Sequence, residues 1–210
     1  DVGLDQIPTK DVYPRIAIVA FSSNSSLCGA FNANAIKKYY QTVGILEGQG
    51  YEREDIDIYV VGRKMADAVR KSGYTIKADL SEIADRPSYD AAASLAESLV
   101  DSFTSGEVAQ VMLVYSHFAS PASQPVVREN FLPLPLHDYD EGTFEPIDYL
   151  LEPDPLTQVR HLLPKVLLLK LYTVILDANA AEHAARTLAM QIASDNAQDL
   201  IAELTLAYNK

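Results

Sequence analysis

The chain has 210 residues, 48% of them hydrophobic, with a formal net charge of −12 at pH 7 and a pI near 4.6. That length fits one domain, or one domain with an appendage, and the apolar content suffices for a core, while the acidic balance counts against nonspecific nucleic-acid binding, which needs a basic surface. One cysteine excludes an internal disulfide and fits a reducing compartment. No signal peptide is visible, and no run reaches the roughly 18 apolar residues of a membrane span: the most apolar stretch, Val166 to Leu176, is short and broken by Lys170.

Residues 1–15 read as an irregular lead-in bounded by Pro8 and Pro14. Ile16 to Phe21 is a continuous apolar run, the pattern of a strand buried on both faces. A serine-rich turn follows, and Asn32 or Asn34 is placed to cap a helix running to about Leu46, ended by Gly48 and Gly50. Ile56 to Val61 is a second buried strand; Gly62 opens the turn into a helix from Lys64 to Lys71, which Gly73 ends. Tyr74 to Leu80 reads as a short third strand. Ser88 to Phe103 is helical, with Ala92, Leu95, Leu99 and Phe103 on one face. Val108 to Tyr115 is a strong strand, and Pro125 to Leu136 has β character with prolines at both ends, which suits a sheet edge. Strands alternating with helices imply a three-layer, Rossmann-like α/β domain over residues 16–155, with a mostly parallel sheet and helices on both faces.

His137 to Asp154 holds seven Asp or Glu residues and no Lys or Arg. It is either a solvated loop or hairpin, or a charged contact with a partner. Residues 156–210 form a helical segment. Pro164 suits a first helical turn, and from there to Lys210 the pattern is unbroken, roughly 70 Å at 1.5 Å per residue. A body built from the preceding residues spans only about 40 Å, so the helix is expected to overhang it. Ala181, Ala185, Leu188 and Ile192 share one face, where small residues would let another helix come close. Leu204, Leu206 and Tyr208 carry no stop signal, so the chain is expected to continue beyond Lys210.

Nothing in the pattern marks an active site. The loop Ser22 to Gly29 has a single glycine and no GxxxxGK[ST] motif, and a G-x-S-x-G elbow is missing. Cys28 beside an apolar turn reads as packing. His117, His137, His161 and His183 show no metal-ligand spacing. No cofactor is expected.

Several segments resemble the gamma subunit of F-type ATP synthases. Glu182-His183-Ala184-Ala185-Arg186, Ala189-Met190, Ala193 to Ala197 and Leu204 to Lys210 are similar to that family's SEHAARMxAMxxATDNA and LxLxYNK segments. Ser26 to Asn32 is similar to its GLCGAFN, and Gly62-Arg63-Lys64 to its GRK. Tyr115 and Phe118, Leu132 to Leu134, and Tyr149 to Pro153 fall in the family's order. The resemblance implies a non-catalytic rotor, the central stalk that couples proton flow through the membrane ring to ATP synthesis or hydrolysis in the alpha/beta hexamer. It also implies a place at the cytoplasmic face of the cell inner membrane, without direct membrane insertion. Its partners would be the alpha, beta and epsilon subunits, the membrane c-ring, and the subunit's own N-terminal helix, lying antiparallel against the long helix as the other half of a coiled coil. Asp148, Tyr149, Leu150 and Glu152 match a YLYEP-like stretch that meets the ring and epsilon in relatives. By the same resemblance Arg186, Asp195, Asn196, Tyr208, Asn209 and Lys210 are partner contacts. One departure stands out: the family has Asp-Arg-Gly before its Leu-Cys-Gly, and here Ser22-Ser23-Asn24-Ser25-Ser26 stands instead. A different reading of the same elements is a small α/β nucleotide- or anion-binding protein with a helical dimerisation arm.

Overall fold

The computed structural model describes residues 15–134 and 154–209, with only the backbone of 155 and 156. Among them a five-stranded sheet has the order β3-β2-β1-β4-β5, made of β1 (Arg15–Phe21), β2 (Ile56–Val61), β3 (Ile76–Asp79), β4 (Val108–Ser116) and β5 (Val126–Leu132). The first four strands run parallel, and β5 closes one edge antiparallel to β4. The edge position expected for the proline-flanked segment is where β5 lies. Arg15, expected in the lead-in, opens β1 instead; the rest of that segment lies outside the described residues.

Period-two alternation on the central strand builds two cores. Ile16, Ile18 and Ala20 face α1 (Phe31–Gly48) and α2 (Arg63–Lys71), packing with Ala35, Tyr39, Val43, Met65 and Val69. Ala17, Val19 and Phe21 face the other way, toward α4 (Tyr89–Thr104) and α5 (Pro155–Tyr208), where Leu95, Leu99, Leu171 and Ile175 meet them. This is the three-layer arrangement that the alternating pattern implies. A short α3 (Glu82–Asp85) and a 3-10 turn at Arg53–Asp55 join these elements; neither has a sequence signature long enough to stand out.

Two helix starts differ from expectation. In α1 neither asparagine caps: the cap is Ala30, without a side-chain bond, because Asn32 turns back to Ser23 and Cys28. In α5 the start is Pro155, capped by Asp154, whose carboxylate accepts from the Thr157 amide at 3.1 Å and its hydroxyl at 2.7 Å. Pro164 therefore sits inside the helix. The carbonyl of Arg160 loses its i→i+4 donor there, but Arg160, His161 and Pro164 are all exposed, so solvent can take that bond. The helix comprises 54 residues, about 81 Å at 1.5 Å per residue.

Gly62 caps α2 at φ +116°, and a Cβ built on it would lie 2.2 Å from the Ser22 carbonyl oxygen. Gly62→Ala is expected to cost more than about 3 kcal/mol, combining left-handed strain with a backbone clash. Gly44 lies exposed in α1 with nothing within 4 Å of its Cβ position. Gly44→Ala should therefore stabilise by about 0.5–1 kcal/mol. Urea unfolding of the two variants checks the opposite signs.

Candidate functional site

In a parallel α/β sheet the crevice beyond the carboxyl ends of the strands is the usual ligand position. Here the chain fills it with its own groups. The first three amides of α2 are met by three consecutive loop residues: Arg63 N–H donates to Asn24 Oδ1 at 2.9 Å, Lys64 N–H to the Ser23 carbonyl at 3.2 Å, and Met65 N–H to Ser22 Oγ at 2.8 Å. A helix start attracts anions through such free amides, and these are taken. Asn24 also donates to the Ser81 carbonyl and to Asp85, tying the loop to α3. The run Ser22 to Asn24 is thus a capping and cross-linking device.

Helix α5 occupies the rest of the crevice. Ile175, Ala178, Asn179 and Glu182 line what remains between Phe21, Ser22 and Val61, a cavity of about 10 Å³, room for one water at most. Farther along, Ala181 and Ala185 pack on Cys28 and Phe31, and Ala189 lies 3.7 Å from the Cβ position of Gly29. The alanines that resemble a docking face for a second helix are therefore taken up by their own domain, against the β1–α1 loop. Leu188 and Ile192 on the same face stay exposed. Leu27, at φ +71° and 75% exposed, is held outward by this loop.

The opposite face of α5 carries a different pattern. Val159, Leu162, Val166, Leu169, Thr173 and Leu176 follow alternating spacings of three and four, and every one is exposed. Ala180, His183, Thr187 and Met190 continue the register, then Ser194, Ala197, Ile201, Leu204 and Tyr208, all exposed as well. A straight helix drifts about 20° per heptad against such a repeat, and its apolar positions, Val159 to Leu169 and Ala197 to Tyr208, suit a left-handed supercoil with another helix, with Thr173, His183, Thr187 and Ser194 as polar interruptions between them. From Met190 to Asn209 no residue is buried even in part. That stretch projects about 30 Å beyond the body at 1.5 Å per residue. The seam was legible in the sequence as a 3.5-residue repeat, hidden there by the denser alanine pattern on the inward face.

The residues singled out by resemblance fall into three groups. Arg186 turns inward: its guanidinium donates to the Ser26 carbonyl at 2.7 Å and to Ser25 Oγ at 2.8 Å, and pairs with Glu182. The Glu182 hydrogen bond raises its pKa above the usual arginine range. Asp195, Asn196, Tyr208 and Asn209 lie on the exposed overhang, with Asp195 accepting from Gln191 at 2.9 Å. Asp148, Tyr149, Leu150, Glu152 and Lys210 lie outside the described residues. His183 is exposed, 3.6 Å from Glu182. No helix among the described residues is long and apolar enough to cross a membrane.

The family model for ATP synthase matches residues 3–210. The ATP synthase gamma chain of Bacteroides fragilis is 49% identical over 200 residues, covering 93% of this chain and 68% of that protein. That of Phocaeicola vulgatus is 48% identical over 200 residues, with the same shares. Among solved structures, the rotor of the Euglena gracilis mitochondrial ATP synthase superposes with a TM-score of 0.61 at 20% identity, over 100% of this chain and 82% of that one. The central stalk of the Tetrahymena thermophila mitochondrial enzyme gives 0.61 at 20% identity, over 86% and 76%. At that identity the structural likeness speaks for the fold. The sequence relatives speak for more: this chain belongs to the ATP synthase gamma chain family.

Proposed function

We propose that the chain works as the central-stalk rotor of an F-type ATP synthase, making and breaking no bonds itself. The observation that carries this reading is the exposed heptad seam on a helix that overhangs its own domain by about 30 Å. A globular domain opening at Arg15 and including the near half of α5 forms the foot, and the exposed face and overhang of α5 form half of an antiparallel coiled coil. The other half of the pair is a second helix of the same subunit. Its partner face is the Val159–Tyr208 seam rather than the alanine face. The non-catalytic role is supported by the crevice, in which loop and α5 side chains stand where a ligand would.

In this reading the overhang, with Asp195, Asn196, Tyr208, Asn209 and Lys210, turns inside the alpha/beta hexamer. Asp148, Tyr149, Leu150 and Glu152 face the c-ring and the epsilon subunit at the cytoplasmic side of the inner membrane. A rotor changes the affinity of a catalytic site only by as much as its contacts differ among the states of that site. An asymmetric helix pair supplies such differences at each angle.

Two measurements check this. Calorimetry with ATP or ADP at micromolar ligand should show no saturable binding to the chain; binding would favour the nucleotide- or anion-binding alternative. Hydrogen exchange should find the amides from Ala193 to Tyr208 exchanging far faster than those of Ile16 to Phe21 in the isolated chain, and protected in the assembled complex. Strong protection of that segment in a monomeric isolated chain would show that it needs no partner.

A further inference from the structure

Helix α5 is held to the body by an apolar stripe and by polar contacts from four of its residues. Lys170 pairs with Glu129 of β5 at 2.6 Å. Seven residues on, Asp177 meets His117 Nδ1 at 2.6 Å and accepts from the Phe118 amide at 3.0 Å, on the segment leaving β4. Asn179 donates to the Ala84 carbonyl of α3 at 2.7 Å. Seven residues beyond that, Arg186 binds the Ser25–Ser26 loop.

Residues seven apart lie within about 20° of each other around a helix, and residues two apart are separated by about 200°. Lys170 and Asp177 therefore run along one flank of the buried stripe, and Asn179 and Arg186 along the other. The stripe itself, through Leu171, Val174 and Ala178, is apolar, and such contact has no preferred direction. Packing of such a stripe sets the roll of the helix less sharply than a directional contact does. Hydrogen bonds do have direction and a narrow range of length. At a helix radius of roughly 5–6 Å, a 20° roll moves a flanking side chain by about 2 Å, enough to break contacts on one side while crowding the other.

We propose that these two flanking pairs are a torsional lock: Lys170 and Asp177 on one side, Asn179 and Arg186 on the other, fix the roll of α5 against the body so that twisting load passes between shaft and foot. They are positioning residues, and the inference rests on the rotor reading above. The stripe keeps the helix on the domain, and the flanks keep it from turning there.

The test uses the complex assembled with the full gamma chain in sealed vesicles, measuring protons pumped per ATP hydrolysed. Asp177→Ala with Asn179→Ala removes one of the two contact residues from each flank and leaves the stripe intact. The ratio should fall at least twofold while ATP hydrolysis continues. Leu171→Ala weakens the stripe and serves as the control, lowering Tm with the ratio unchanged, and Asp177→Asn, which keeps an acceptor for the Phe118 amide, should restore most of the coupling. An unchanged ratio in the double variant, or an equal fall in Leu171→Ala, overturns the lock and leaves the rotor reading standing. A complex with the unaltered chain that hydrolyses ATP and pumps no protons overturns both. Should the double variant not assemble, spin labels at Lys37 and Gln198 of the gamma chain give a second readout. Their distance distribution should broaden in the double variant, and an unchanged width overturns the lock.

Discussion

Helix α5 has two demands placed on it, and the rest of the structure follows from how they are met. Its inward stripe, from Leu167 through Leu171, Ile175 and Ala178 to Ala185, is buried against the sheet and the β1–α1 loop. Burial of each large side chain in that stripe contributes about 1.5–3 kcal/mol, ample to fix the helix on the sheet face, from which it continues past the carboxyl ends of the strands. Once it lies there, the crevice that this class of sheet offers to ligands is closed, and the remainder of the helix has no surface of its own domain to rest on. Docking of the near half and projection of the far half are one structural decision.

The loop after β1 makes that docking possible. Its serines and Asn24 take up the free amides of α2, and Cys28 and Phe31 pack on Ala181 and Ala185 of α5. Gly62 lets the Ser22 carbonyl come near without a clashing Cβ. Arg186 then reaches across to the same loop. A segment that in related folds holds phosphate holds a helix here, through the same hydrogen-bonding capacity turned inward.

What a shaft needs differs from what a domain needs. A domain is stable when its apolar surface is hidden, whereas a shaft must also resist bending and twisting under load. Alternating threes and fours of exposed, mostly apolar residues from Val159 to Tyr208 answer the bending requirement, since a second helix laid along them doubles the section. Burial resists twist less sharply than directional contacts do, because apolar contact carries no preferred direction of its own. Directional polar contacts on both sides of the stripe supply the missing constraint.

Much of this was legible in the chain itself. The buried strands Ile16 to Phe21, Ile56 to Val61 and Val108 to Tyr115 announce themselves as unbroken apolar runs, because a strand covered on both faces needs no polar residue. The family was readable in the segments around Glu182 to Lys210, since a helix that meets several surfaces leaves little freedom in its sequence. The start of α5 was not: Pro164 looks like a first turn, yet a helix nucleated at Asp154 and held by tertiary packing runs through it, the lost bond falling on a solvent-exposed turn. Nor was the role of Asn32, which fits a cap in sequence but is drawn to Ser23 and Cys28 by the fold of the loop. The division of the long helix into a face for its own body and a face for a partner was decided in three dimensions. Both faces are apolar and both repeat at helical spacing, so pattern alone cannot rank them. Only the position of the β1–α1 loop against Ala181 and Ala185 determines which is already occupied.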